Sequence, residues 1–381
     1  MSNIFDYLAW RGDLTFEQAP FNTVDNLILS QLSYMPFDGI VPPPGQKTAV
    51  SVEEAANRLA RALREDPSRA DQFIVFKTDP YFLKLLGRSR RFRNLPLRAY
   101  VNHIDISQEK QFSALTVRCA PGLSYIACRG TDNTLVGWKE DFNMIFKPVI
   151  PAQIEAVSYL EEIAPRLRGR LYVGGHSKGG NLAIYAAAFC KEKIQKRIIG
   201  IYSNDGPGFH SSVINSRGYG AIREKINSLV PQSSVIGMLF ERGDEYTVVK
   251  SAENGLKQHD LYSWEVNYND VVRLDRVDKQ SRFIDQTLKE WIDGLEFEQR
   301  QRFIEALYEI LSSAEVRSPQ DLSDRWLKNM GVMIQFLGNT DSQTKDLIFK
   351  TLSALFKAAK NNIKTLLEDE AEETDPPPDT G

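Results

Sequence analysis

A serine inside Gly175-His176-Ser177-Lys178-Gly179 is where residue type and spacing in this chain first point to chemistry. A short apolar stretch, Leu171-Tyr172-Val173, precedes it, and an Ala-rich stretch running to about Cys190 follows. That order of strand, Gly-x-Ser-x-Gly and helix describes a nucleophile elbow, a sharp turn that holds a serine hydroxyl out over the end of a sheet. Glycines at 175 and 179 suit such a turn, because side chains beside the strained serine would clash. The elbow also sets the backbone N–H of Lys178 at a helix N-terminus, where it can donate to a developing oxyanion.

A serine needs a base, an orienting acid and a second oxyanion donor. The chain has only four histidines. His103 precedes the serine in a predicted strand, and His176 adjoins it. His210 follows the predicted strand at 198–203 too closely to leave room for an acid from a later strand. His259, in the polar loop Lys257-Gln258-His259-Asp260, fits the order serine, acid, base and is the expected base. Asp244, in Glu241-Arg242-Gly243-Asp244-Glu245, leads among the acids because it follows an apolar run ending at Phe240. Glu245, Glu241 and Asp205 are its rivals, Asp205 lying at a strand end in Asn204-Asp205-Gly206-Pro207-Gly208. For the second donor, Arg129-Gly130-Thr131 closes a predicted strand with a glycine that permits close approach. Thr131 offers both an N–H and a hydroxyl.

The elements that must carry these residues follow from periodicity. Asn22 caps a predicted helix bearing Val24, Leu27, Ile28 and Leu32, and Ser51 with Glu54 opens a second. A third apolar segment runs through residues 73–86. Strands are predicted at 98–106, 112–119 and 123–129 as an antiparallel meander. From residue 149 helices and strands alternate: helix 154–167, the elbow strand and helix, strand 198–203, helix 221–229 and strand 234–240. Such alternation implies parallel strands with helical crossovers. After residue 281 apolar stripes return, with Phe303, Ile304 and Leu307 on one face and Ile348, Leu352 and Leu355 on another. The acidic, Pro-rich end from 368 onward is expected to be disordered.

Composition narrows the partners. The chain has 381 residues and a net charge of −3, which argues against a general nucleic-acid binder. The run Arg88, Arg90, Arg91 and Arg93 lacks the aromatic interleaving of a stacking platform. Three cysteines without CxxC spacing read as buried free thiols and give no metal site. The first residues lack a signal-peptide pattern, and no apolar run approaches spanning length. A cytoplasmic location follows as the expectation, with contact at a membrane surface left open.

Arg129-Gly130-Thr131 with Trp138 and Asp141-Phe142, together with Gly175-His176-Ser177-Lys178-Gly179-Gly180, resembles the class 3 (fungal-type) lipases of the α/β-hydrolase superfamily. The wider pattern resembles a bacterial branch called Mbeg-like. That pattern adds Trp10-Arg11-Gly12-Asp13, Asn204-Asp205-Gly206-Pro207-Gly208, Tyr246-Thr247-Val248-Val249 and Gln258-His259-Asp260. It covers roughly residues 1–300. The resemblance implies Ser177 as nucleophile, Asp244 and His259 as triad partners, and Thr131 in the oxyanion hole. Lys178 departs from the apolar residue that lipases carry after the serine. A cation there is expected to alter substrate choice or to lower the pKa of the base.

The sequence therefore predicts an α/β-hydrolase with a mostly parallel central sheet flanked by helices. A helical extension (1–97) precedes a core (98–280), a helical subdomain (281–366) and an acidic tail (367–381). The expected reaction is hydrolysis of a small-molecule or lipid ester through an acyl-enzyme, without cofactor or metal. Thioester cleavage, acyl transfer and a catalytically silent interaction protein are the alternatives. The acyl chain, head group and oligomeric state are not specified.

Overall fold

The computed structural model describes residues 2–67, 75–132, 134–144, 147–296, 298–303 and 305, with 346, 350 and 353. The chain divides into two compact units, Met1–Arg276 and Val277–Gly381.

In the first unit a helical stretch opens the chain, with α1 (Ile4–Arg11) and α2 (Thr23–Leu32). Asn3 and Asn22 cap these helices, each accepting backbone N–H groups, while Asp6 and Asp25 complete capping boxes. A two-residue strand, β1 (Val50–Ser51), leads into α3 (Val52–Glu65), where Ser51 accepts from Glu54 N–H. After α4 (Asp79–Leu86) comes the meander β2 (Pro96–Asp105), β3 (Lys110–Ala120) and β4 (Leu123–Cys128), paired antiparallel.

Helices then intervene between parallel strands. In chain order the elements are α5 (Leu135–Asn143), α6 (Pro151–Ile163), β5 (Arg170–His176), α7 (Lys178–Phe189), α8 (Glu192–Gln195) and β6 (Ile198–Asn204). Next come α9 (Ser211–Ile214), α10 (Arg217–Ile222), β7 (Ile226–Pro231) and β8 (Tyr246–Val249). A small hairpin of β9 (Val266–Asn267) and β10 (Asp270–Val271) precedes β11 (Arg273–Leu274). The nine-stranded sheet runs β1-β2-β3-β4-β5-β6-β7-β8-β11. Strands β4 to β8 are parallel, and β11 is antiparallel to β8. This mostly parallel sheet with helices on both faces is the α/β-hydrolase arrangement.

The strand period of two sorts the core. Leu115 and Val117 face α1–α4, joining Val24, Leu27, Ile28, Leu32 and Phe82 in one cluster. Phe112 and Ala114 face the other way, joining residues of α6 and α7 in the second. Helix α7 is buried on nearly every side, as its Ala-rich, charge-poor sequence allows.

Two expectations are corrected. The helix expected at 221–229 lies earlier, in α10 and a 3-10 turn at 223–225, since β7 occupies 226–231, and residues 234–240 are not a strand but a turn around a 3-10 segment. In the second unit Trp291 of α11 (Lys279–Asp293) makes an edge-on contact with Phe303 at 5.5 Å. The stripe from Ile304 to Leu311, the stripe around Ile348 and the acidic tail lie outside the described residues, apart from isolated positions. Among the described residues no helix is long and apolar enough to cross a membrane.

Candidate active site

Ser177 stands between β5 and α7 with φ +57°, a conformation a non-glycine residue holds only where its surroundings enforce it. The enforcement is visible. Its N–H donates to Asn204 C=O at the end of β6 (2.9 Å), and its C=O accepts from Gly180 N–H (2.9 Å). A Cβ at Gly175 would meet Cys128 O at 2.4 Å, and one at Gly179 would meet it at 2.2 Å. Both elbow glycines are therefore fixed by the close approach of β4.

The imidazole of His259 lies over the same strand ends. Its Nδ1 is 2.6 Å from Asp205 Oδ2, so Nδ1–H donates to the carboxylate and Nε2 is left as the basic nitrogen. Asp205 directly follows β6, at φ +50°, and is 1% exposed. Its second oxygen accepts from Ser234 Oγ (2.5 Å) and Gly237 N–H (3.1 Å). A carboxylate so fully engaged is fixed in orientation.

Asp244, the acid expected from sequence, is not brought to His259. Its Oδ1 accepts from Tyr219 hydroxyl (2.8 Å), and its Oδ2 lies 3.5 Å from Arg242. Arg242 in turn donates to the carbonyls of Gly206 and Gly237 (2.7 Å each), bracing the turn that carries Asp205. The placement has a plain cause: the strand expected at 234–240 does not exist, so Asp244 does not follow a strand end whereas Asp205 does. Glu241 and Glu245 lie in the connection between that turn and β8. His210 meets the carbonyl of Met144 (3.0 Å) and stacks on Phe240, while His103 contacts Glu155.

His176, set aside by sequence reasoning, packs against the His259 ring at 4.4 Å. It is fully buried, and its Nε2 lies 2.6 Å from the carbonyl of His259. A carbonyl only accepts, so Nε2 carries the proton and Nδ1 accepts from Tyr34 hydroxyl (2.9 Å). Burial, with the nearby His259 ring adding to it, holds His176 well below the usual imidazole range and keeps it neutral.

The segment after β4 abuts the elbow. A Cβ on Gly130 would lie 2.6 Å from His176 O and 3.0 Å from Ser177 Cβ, so only glycine lets this backbone pass. Thr131 follows, its hydroxyl donating to Asp141 Oδ2 at 2.5 Å. Lys178 is 2% exposed, and its ammonium is 2.9 Å from Glu140 Oε2 and 3.3 Å from Asp141 Oδ1. Burial alone would lower its pKa, but Asp141 and Glu140 outweigh that and raise it. The cation is thus committed to two carboxylates rather than aimed at His259, which corrects the reading of Lys178 as a charge acting on the base.

Helix α2 buttresses the elbow from the other face of the sheet. Asn204 Nδ2 donates to Gly175 C=O (3.0 Å), and Asn204 Oδ1 accepts from Asn26 (2.8 Å). Tyr125 hydroxyl donates to Asn26 Oδ1 (2.7 Å).

Among the described residues, no hydrogen bond joins the Ser177 hydroxyl to His259, and no group of three or more His, Cys, Asp or Glu residues could hold a metal ion. A cleft of about 1160 Å³ between residues 38–50, β2 and α6 is lined by none of Ser177, Asp205 and His259. In the segment after Thr131, Val136 is buried, whereas the side chains of Leu135 and Trp138 lie outside the described residues.

The family model described as Mbeg1-like matches residues 86–309, over half of the chain. No curated protein matches the chain. Among solved structures, M37 lipase shares 14% identity over 58% of this chain and 70% of its own, with a TM-score of 0.33. The native propeptide complex of Rhizomucor miehei lipase shares 14% over 62% and 78%, with a TM-score of 0.33. A fungal lipase–inhibitor complex shares 13% over 54% and 83%, with a TM-score of 0.34.

Proposed function

The chain belongs to the Mbeg1-like family, and within it we propose that this member is a serine hydrolase that cleaves carboxylic esters through a Ser177 acyl-enzyme. The observation carrying this reading is the Asp205–His259 contact beside a serine held at φ +57° on an elbow. A strained serine, an oriented imidazole and a fully engaged carboxylate at adjacent strand ends are the parts that acyl transfer needs.

In the cycle, His259 Nε2 takes the Ser177 proton as Oγ attacks the ester carbonyl. The N–H groups of Thr131 and Lys178 receive the oxyanion, and such donors are each worth roughly 3 kcal/mol in the transition state. His259 then protonates the departing alcohol and next activates water for deacylation. The Asp205 carboxylate stabilises the imidazolium that forms in each half.

Labelling with a fluorophosphonate probe tests the proposal. Ser177 Oγ–P forms, P–F breaks, fluoride leaves, and the serine proton passes to His259. Label confined to the Ser177 peptide and absent from folded Ser177→Ala is the expected result. An unlabelled, folded native chain would overturn the reading and favour an interaction protein built on a silent hydrolase fold.

A further inference from the structure

Lysine is a costly choice for the residue after the serine. Taking an ammonium and the Glu140 carboxylate out of water is more expensive than burying apolar side chains of equal length, and packing alone does not call for it. The partners of Lys178 show what the arrangement achieves. Glu140 is fully buried, and its Oε2 accepts from Gln111 N–H (3.0 Å) as well as from Lys178, while its Oε1 accepts from Ala152 N–H (2.9 Å). The anchor of the ammonium is thereby tied to β3 and to the first turn of α6.

Asp141, the next residue of α5, divides its carboxylate. One oxygen faces Lys178 Nζ, and the other holds the hydroxyl of Thr131. Helix α5 comes close enough for this because residue 137 is glycine. A Cβ there would sit 2.9 Å from Thr131 Cγ2.

Lys178 and Thr131 are the two residues whose backbone amides receive the oxyanion in the proposed reaction, and their side chains meet on one carboxylate. We infer that the Lys178 side chain is a positioning residue: through Asp141 it locks the elbow to the Thr131 segment and fixes the spacing of the two oxyanion donors. The inference rests on the serine-hydrolase reading. It assigns the ammonium no contact with substrate. Its role is to hold two amides from separate segments in register, a task that shape complementarity performs where the residue is apolar.

The experiment measures fluorophosphonate labelling of the full chain over a range of probe concentrations, separating the saturating rate constant from half-saturation. Lys178→Met removes the ammonium and keeps the chain length. Because it leaves Glu140 buried without its cation, Lys178→Met/Glu140→Gln is run alongside as a variant with no unpaired charge at that position. Thermal melts identify which of the two is folded.

Removing an oxyanion donor costs on the order of 100- to 1000-fold, and misplacing one costs part of that. The saturating rate is therefore expected to fall about 10- to 100-fold in the folded variant, with half-saturation changed less than about threefold. A folded variant labelled at the native rate overturns the inference and leaves the hydrolase reading intact. A rise in half-saturation alone also overturns it, since that would give Lys178 a role in binding. A native chain that takes no label overturns the hydrolase reading itself.

Discussion

At the scale of single residues, the site depends on which carboxylate reaches His259. If Asp205 orients the imidazole, Asp205→Asn keeps the shape but favours the wrong tautomer, and turnover of an ester substrate is expected to fall by about 10⁴. Asp244→Asn removes a brace two contacts away and is expected to cost less than tenfold. The reverse ranking of the two variants would restore Asp244 as the acid.

His176 adds a pH signature. Its folded-state pKa lies well below the unfolded imidazole value of about 6.5. Its stabilising contribution is thus complete above about pH 6.5 and is lost as pH falls and the unfolded chain takes up the proton. Between pH 7 and 5.5 the native melting temperature is expected to drop more steeply than that of His176→Gln. Parallel curves would show that His176 charges as easily folded as unfolded.

At the scale of elements, the sequence displayed the elbow because all of its determinants are local. Gly175 and Gly179 must be small, the strand before them is apolar, and the helix after them is Ala-rich. The meander was equally legible, since β2 to β4 are long and Pro121-Gly122 marks a turn. The acid was not. The run 234–240 is apolar enough to read as a strand, yet Ser234 and Gly237 close a turn on the Asp205 carboxylate instead. The real strand, β7, contains Asn227 and Ser228 and carries a weaker apolar pattern.

Helix α2 shows a second limit. Its apolar stripe was readable, but Asp25, Asn26, Ser30 and Gln31 are also fully buried, because their partners lie far along the chain. Asp79, at the start of α4, accepts from Gln31 (2.8 Å) and from Tyr262 hydroxyl (2.7 Å), and burial pushes its carboxyl up to about 7. The N-terminal helices thus hold both the elbow, through Asn26 and Tyr34, and the loop bearing His259, through Tyr262. No periodicity in one short segment announces such a contact.

At the scale of the whole molecule, every residue of the candidate site falls within Met1–Arg276, and so do both hydrophobic clusters. A chain ending at Arg276 is expected to melt cooperatively and to take the fluorophosphonate label at a rate within about threefold of the full chain, by the usual independence of compact units. Failure to label despite cooperative melting would assign the second unit a part in the chemistry.

Within the first unit the site closes on itself. Ser177 N–H is held by Asn204, Asp205 follows Asn204 and holds His259, and the His259 carbonyl is held by His176, the neighbour of Ser177. Among the described residues the Ser177 hydroxyl is not one of the links in this ring. Removing that single oxygen leaves the ring of contacts in place. On the proposed serine-hydrolase reading, the Ser177→Ala protein is accordingly expected to act as a trap that retains the unconverted substrate from a cell extract.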